Sequence, residues 1–224
     1  MITLKALGIL LAYPDEDLIE ALPEILQQIE NEKLLSHTDK QALKELINEL
    51  QQADILEAQE RYVDLFDRGR ATSLHLFEHV HGESRDRGQA MVDLNRMYAA
   101  AGLRLDCNEL PDFLPVVLEY LSMRPLEETR DMLGDCAHIL RALGEHLRDR
   151  GSYYSAVPAA LLTIAGEEGL GASKKSVVED IQNLDEEWVD EPVIFGPSAG
   201  QGCGGKSDTS VVRFVPKVSR GDSL

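Results

Sequence analysis

The sequence predicts an all-α protein, an antiparallel helical bundle of about eight helices. Three observations carry that expectation. Apolar residues recur at three- and four-residue steps over roughly the first 165 positions. Runs of alternating apolar and polar residues are scarce there. The breaks between segments fall at residues that start or stop helices.

The first helix, 2–12, holds the longest apolar run, Ala6-Leu7-Gly8-Ile9-Leu10-Leu11-Ala12. A second spans 15–33. In the third, 39–52, Leu43, Leu46, Ile47 and Leu50 share one face. Thr38 with Gln41 three positions on makes a capping box, the hydroxyl satisfying a free backbone N–H. Helices follow at 54–67, 73–81 and 86–101. Pro111 opens 111–123 and Pro125 opens 126–149, because a proline's missing N–H costs nothing in the first turn. Leu133, Cys136, Leu140, Leu143 and Leu147 set the buried face of 126–149, with Cys136 among the core residues. Arg148 and Arg150 before Gly151 end it, cations facing the negative helix terminus and glycine allowing a left-handed turn. A short helix spans 153–165. Counted strictly the segments are nine, with two joins open to being continuous.

After Gly166 the composition changes. An acidic stretch from Glu167 to Glu191 leads into a Gly- and Ser-rich run, Gly196–Ser210. The chain is therefore expected to divide into a helical domain, 1–168, and a tail, 169–224, mobile and largely disordered. Within the tail a helix is allowed around 177–184, and 211–215 reads as weakly extended.

Forty acidic against 22 basic side chains make the net charge −18. Nucleic acid is excluded as a partner, since phosphate contacts need clustered Lys and Arg. Basic or neutral partners are favoured instead. The apolar run at 6–12 falls far short of the roughly 20 residues of a spanning helix. Tyr13-Pro14-Asp15-Glu16-Asp17 follows it at once, with no small-residue cleavage site. The expectation is a cytoplasmic protein with no stable membrane association. Cys107, Cys136 and Cys203 are an odd, widely spaced set, suited to a reducing compartment rather than a disulfide framework.

Two motifs invite an enzymatic reading. Gly200-Gln201-Gly202-Cys203-Gly204-Gly205-Lys206-Ser207 fits the phosphate-binding pattern at every fixed position. It lacks a convincing helix after it, and too little chain follows to build a nucleotide fold. His75-Leu76-Phe77-Glu78-His79 is an H-x-x-E-H pattern. On a helix both imidazoles would share a face and could hold zinc, with Glu78 as base, but no third ligand identifies itself. A nucleotide- or metal-dependent enzyme built on the Gly-rich tail or on His75 and His79 is therefore the alternative to a non-enzymatic protein without cofactor.

Residues 60–89 differ from the rest. In a chain only 5% aromatic they gather Tyr62, Phe66 and Phe77, three histidines and charges of both signs. Two explanations are open: a mixed apolar and polar recognition surface, or a helix-turn-helix corner with core aromatics and local Arg–Asp pairs.

The run Tyr62-Val63-Asp64-Leu65-Phe66-Asp67-Arg68-Gly69-Arg70, with Ser73-Leu74-His75-Leu76-Phe77-Glu78-His79-Val80-His81-Gly82-Glu83-Ser84-Arg85-Asp86-Arg87-Gly88, closely resembles the NarJ family. These are the delta-type assembly chaperones of respiratory nitrate reductase. Leu110-Pro111-Asp112-Phe113-Leu114-Pro115 and Leu118-Glu119-Tyr120-Leu121 are similar to a second motif of the wider superfamily of molybdenum enzyme chaperones, which often has histidine where Phe113 stands. The resemblance covers about residues 1–165. It implies an all-α chaperone, not part of the final enzyme, that binds the apo catalytic (alpha) subunit of nitrate reductase, notably at its N-terminus. It also implies that the chaperone holds this client until molybdenum cofactor and iron–sulfur cluster are inserted, and that it prevents early docking on the membrane subunit. Contact with proteins that deliver the molybdenum cofactor would accompany such a role. The residues expected to bind client are Tyr62, Leu65, Phe66, Asp67, Arg70, His75, Glu78, His79, Glu83, Asp112 and Glu119. Tyr62, Leu65 and Phe66 would line an apolar groove for an amphipathic helix, with Asp67, Glu78, Glu83 and Glu119 as charge partners. Phe66 reads equally well as core.

Overall fold

A computed structural model describes residues 1–80, 85–105 and 109–170. They belong to a first compact unit, Met1–Glu179; the second, Asp180–Leu224, lies outside the described residues. So do the Gly-rich motif at 200–207, the segments around 177–184 and 211–215, and Cys107 and Cys203. The described chain is all-α.

Helix α1, Ile2–Leu10, buries Leu4, Leu7 and Leu10, and α7, Leu114–Ser122, packs against it. The Met1 ammonium bonds the Ser122 carbonyl at one end, and Gly8 meets Pro115 at the other. The two helices therefore run antiparallel. A Cβ on Gly8 would lie 3.3 Å from the Pro115 carbonyl oxygen, so the missing side chain sets how closely the helices approach.

Helix α2, Glu16–Asn31, starts at Asp15, whose carboxylate accepts the Leu18 N–H at 2.8 Å. It buries Leu18, Leu22, Ile25 and Ile29 between α1 and α3. Helix α3, His37–Gln52, corrects the expected start. Its capping box is Ser36 with Asp39, and Gln41 bonds Glu45 instead. Ser36 stands one position before the helix with an acceptor at the third helical residue, the same spacing displaced by two. Leu43, Leu46, Ile47 and Leu50 form its buried face as expected. Helix α4, Ile55–Phe66, is capped by Asp54.

The segment expected as 73–81 is shorter. A 3-10 turn, Arg70–Thr72, precedes α5, Leu76–Val80. Residues 73–75 are extended because they pair with the chain before α7. Leu114 N–H donates to the Leu74 carbonyl at 2.8 Å and Leu76 N–H to the Asp112 carbonyl at 3.1 Å, bracketing an antiparallel bridge of His75 with Phe113. That pairing also corrects the start of α7. Pro111 lies outside the helix, and Pro115 occupies the first turn. Helix α6, Arg85–Ala100, lies between them in sequence.

The expected single helix 126–149 is two: α8, Leu126–Asp135, and α9, Ala137–Asp149, joined at Cys136 with φ −93° and ψ 2°. One residue with ψ near zero turns the axis yet keeps Leu133 and Leu140 on the buried side. Cys136 is therefore half-buried against the core rather than within it. The ending at Gly151 stands, with φ +70°. A 3-10 turn, Tyr153–Ser155, leads into α10, Ala156–Ala165, which packs on α3, α8 and α9 and stops at Gly166, φ +84°.

Candidate functional site

Five of the candidate residues share one cavity. Phe66 and Asp67 at the end of α4, Arg70 in the 3-10 turn, His75 before α5 and Glu78 within it line a space of about 380 Å³. Behind His75 stands Asp112, a fully buried carboxylate. One of its oxygens accepts the Phe77 N–H at 3.0 Å, and the other faces His75 Nδ1 at 3.4 Å. Asp112 thus caps α5 from another part of the chain, through side chain and backbone together. A buried charge is stable only with such partners.

Hydrogen bonding to Asp112 raises the His75 pKa above its usual value, partly opposed by burial. The Phe113 ring packs on the His75 imidazole, with centroids 5.3 Å apart. Glu78 is held below the usual carboxylate range, chiefly by a hydrogen bond from Ser73 and also by Arg87 at 3.2 Å. Arg70 donates to the Glu78 carbonyl at 3.1 Å. His79 Nε2 donates to the Ser73 carbonyl at 2.9 Å. Both imidazoles are therefore engaged in separate contacts, and His75 lies outside the helix that the zinc pattern requires. Among the described residues no three His, Cys, Asp or Glu side chains are grouped as metal ligands.

The other described candidates are dispersed: Leu65 and Glu119 line different cavities, and Tyr62 lies in the core. Tyr62 and Phe66 are core residues, 5% and 6% exposed. The Tyr62 hydroxyl donates to the Leu11 carbonyl at 2.8 Å. Its ring packs on Phe66 at 4.8 Å, and Phe66 meets Tyr154 edge-on at 5.1 Å. Burial drives the Tyr62 pKa upward. These rings tie α4 to the end of α1 and to the turn before α10. Leu65 lines a separate cavity of about 310 Å³ with Arg61 and Tyr153. Glu119 is exposed on α7 beside a small cavity of about 140 Å³ next to Tyr120. Glu83 lies outside the described residues. Ser73, Phe77 and Arg87 complete the network around α5 and were not among the candidates. Arg87 stands nine residues beyond Glu78, close enough in the sequence to have been paired with it.

This arrangement presents charge and shape and holds a short helix in place. His75, His79, Glu78 and Asp112 are each held by contacts within the protein.

Residues 16–157 match the family model described as nitrate reductase delta subunit. The chain belongs to that family. The assembly chaperone NarJ of Escherichia coli K12, named for the nitrate reductase molybdenum cofactor, is 43% identical over 219 residues, covering 94% of this chain and 91% of that protein. NarW of the same strain is 42% identical over 89% of this chain and 86% of its own length. Bacillus subtilis NarJ is 31% identical over 80% of this chain and 96% of its own. By name these family members are assembly chaperones and not enzymes. A solved redox enzyme maturation protein from Archaeoglobus fulgidus shares the fold, with a TM-score of 0.53 at 24% identity over 75% of this chain and 94% of that one. Among the described residues no helix is long and apolar enough to cross a membrane.

Proposed function

We propose that this protein is a client-specific maturation chaperone of respiratory nitrate reductase. It binds the apo alpha subunit, including its N-terminal segment, in the cytoplasm. It keeps that subunit open to molybdenum cofactor and iron–sulfur insertion and away from its membrane partner, then leaves. Proteins that deliver the molybdenum cofactor are the further partners of this role. The observation that carries the proposal is identity at 43% along nearly the whole chain with a protein named for this task.

The physical character of the chain supports it. A net charge of −18 raises the rate of encounter with a basic segment and makes the complex sensitive to salt. The polar network around Asp112 supplies a rigid corner at the motif that marks the family. The test is co-purification from cells blocked in molybdenum cofactor synthesis and from cells with cofactor. The chaperone should be recovered with the cofactor-free alpha subunit and not with the finished membrane enzyme. Equal recovery with both, or with neither, would overturn the proposal.

A further inference from the structure

The cavity of about 310 Å³ beside Leu65 lies where α3, α4 and the turn before α10 meet, and it is of a size that small-molecule sites have. Its floor is apolar: Leu50 of α3 and Ala58 of α4 are almost fully buried, and Leu65 is half-buried. Tyr153 is exposed at its mouth.

Two arginines from separate elements line the same space, Arg61 of α4 and Arg150 just after α9. Each is held in place by a carboxylate of the cavity wall. Arg61 bonds Glu49, and its Nε donates to the Glu57 carbonyl at 3.4 Å. Arg150 reaches the Asp64 carboxylate at 3.5 Å and donates to the Asp64 carbonyl at 3.3 Å. A guanidinium has five N–H donors, so both arginines keep donors for a further acceptor.

A third donor comes from Tyr154, which also lines the cavity. This residue is only 3% exposed, and its buried hydroxyl has no hydrogen-bond partner among the described residues. The charged groups that act on the phenol are Glu49 and Arg61, both in the cavity wall. Burial keeps it protonated, and therefore a donor. An unsatisfied buried hydroxyl costs stability, a cost that Tyr62 avoids by donating to Leu11.

We infer that this cavity binds a small aromatic monocarboxylate, its carboxylate received by Arg61, Arg150 and the Tyr154 hydroxyl and its body laid on Leu50, Ala58 and Leu65. Hydrogen bonds from arginine to carboxylate are the short, strong kind. The exposed Tyr153 ring offers a face to a planar body. A phosphate dianion fits less well. The charges of Glu49, Asp64, Arg61 and Arg150 cancel, and the whole chain carries −18. A bare anion would also leave the apolar floor uncovered. The site is separate from the network around Asp112 and does not depend on the chaperone function. Two sources share this chemistry, a free aromatic acid and the C-terminal aromatic residue of a polypeptide.

The test is a titration of the full chain with 3-phenylpropanoate, followed by the amide NMR signals of residues 151–154. Saturable shifts are expected there, with the uncharged isostere 3-phenylpropan-1-ol and inorganic phosphate each binding at least about tenfold more weakly. Arg150→Gln and Tyr154→Phe should each weaken 3-phenylpropanoate about tenfold. The control Arg96→Gln, the same change of charge at an exposed position of α6, should change it less than about twofold. Tyr154→Phe should not lower Tm, because the hydroxyl it removes has no partner. N-acetylphenylalanine, which imitates the end of a peptide chain, separates the two sources: tighter binding than 3-phenylpropanoate assigns a polypeptide C-terminus, and weaker binding a free acid. Three results would overturn the inference. They are the absence of saturable shifts, an alcohol or phosphate that binds as tightly as the acid, and a Tyr154→Phe variant that loses Tm yet keeps its affinity.

Discussion

Replacing Asp112 isolates the contact on which α5 depends. In Asp112→Ala the partly buried Phe77 N–H loses its acceptor at 3.0 Å and the His75 ring loses its carboxylate at 3.4 Å. A hydrogen bond to a charged acceptor is worth about 1.5–3 kcal/mol, and Asp112 makes two such contacts. The expected loss is about 3 kcal/mol, a fall in Tm of roughly 6–12 °C for a domain of this size. Asp112→Asn keeps an oxygen for Phe77 but removes the charge, and should cost about 1 kcal/mol near neutral pH. The two variants separate cap from ion pair through pH. The His75 pKa is raised in the folded protein, so the stability it adds is complete below the unfolded value of about 6.5 and disappears as pH rises through the folded value. The Asn penalty should therefore be larger at pH 6 than at pH 9, while the cap contribution to the Ala penalty is the same at both. Urea unfolding followed by circular dichroism at the two pH values measures this. An Asn penalty that is flat with pH, or larger at pH 9, would refute the pairing. An Ala variant as stable as wild type would refute the cap.

Three further outcomes follow from the same geometry. Tyr62→Phe leaves the Leu11 carbonyl without its 2.8 Å donor and should lower stability by about 1 kcal/mol in chemical unfolding, with client peptide affinity unchanged because the hydroxyl is buried. Gly151→Ala forces a side chain onto φ +70° and should cost about 1 kcal/mol, read as a lower Tm. A chain ending at Leu170 should keep both its Tm and its peptide affinity. A cut before Gly169 should lower Tm, because it removes the carbonyl that Arg141 holds at 2.8 Å and the Leu170 side chain packed over Gly144.

The helices were legible because their signals are local. Leu43, Leu46, Ile47 and Leu50 need only their own spacing to define a face, and Arg148, Arg150 and Gly151 their own chemistry to end one. The misplaced boundaries have tertiary causes. Pro111 does not open α7 because the residues after it pair with 74–76. The break at Cys136 left the apolar spacing intact, so periodicity alone did not reveal it. The site divides along the same line. The motif residues were found in the sequence, and five of them do meet in one cavity. That Tyr62 and Phe66 are core depends on Leu11 and Tyr154, which are far away in the chain.

The proposed function makes a segment of the apo alpha subunit this chain's ligand. The most direct test is a calorimetric titration of the full-length chain with the alpha subunit's N-terminal peptide at low and at moderate salt. Saturable binding at one site per chain, weaker at the higher salt, is the predicted result. A folded chain that gives no binding heat with the peptide and captures no full-length apo alpha subunit would contradict it.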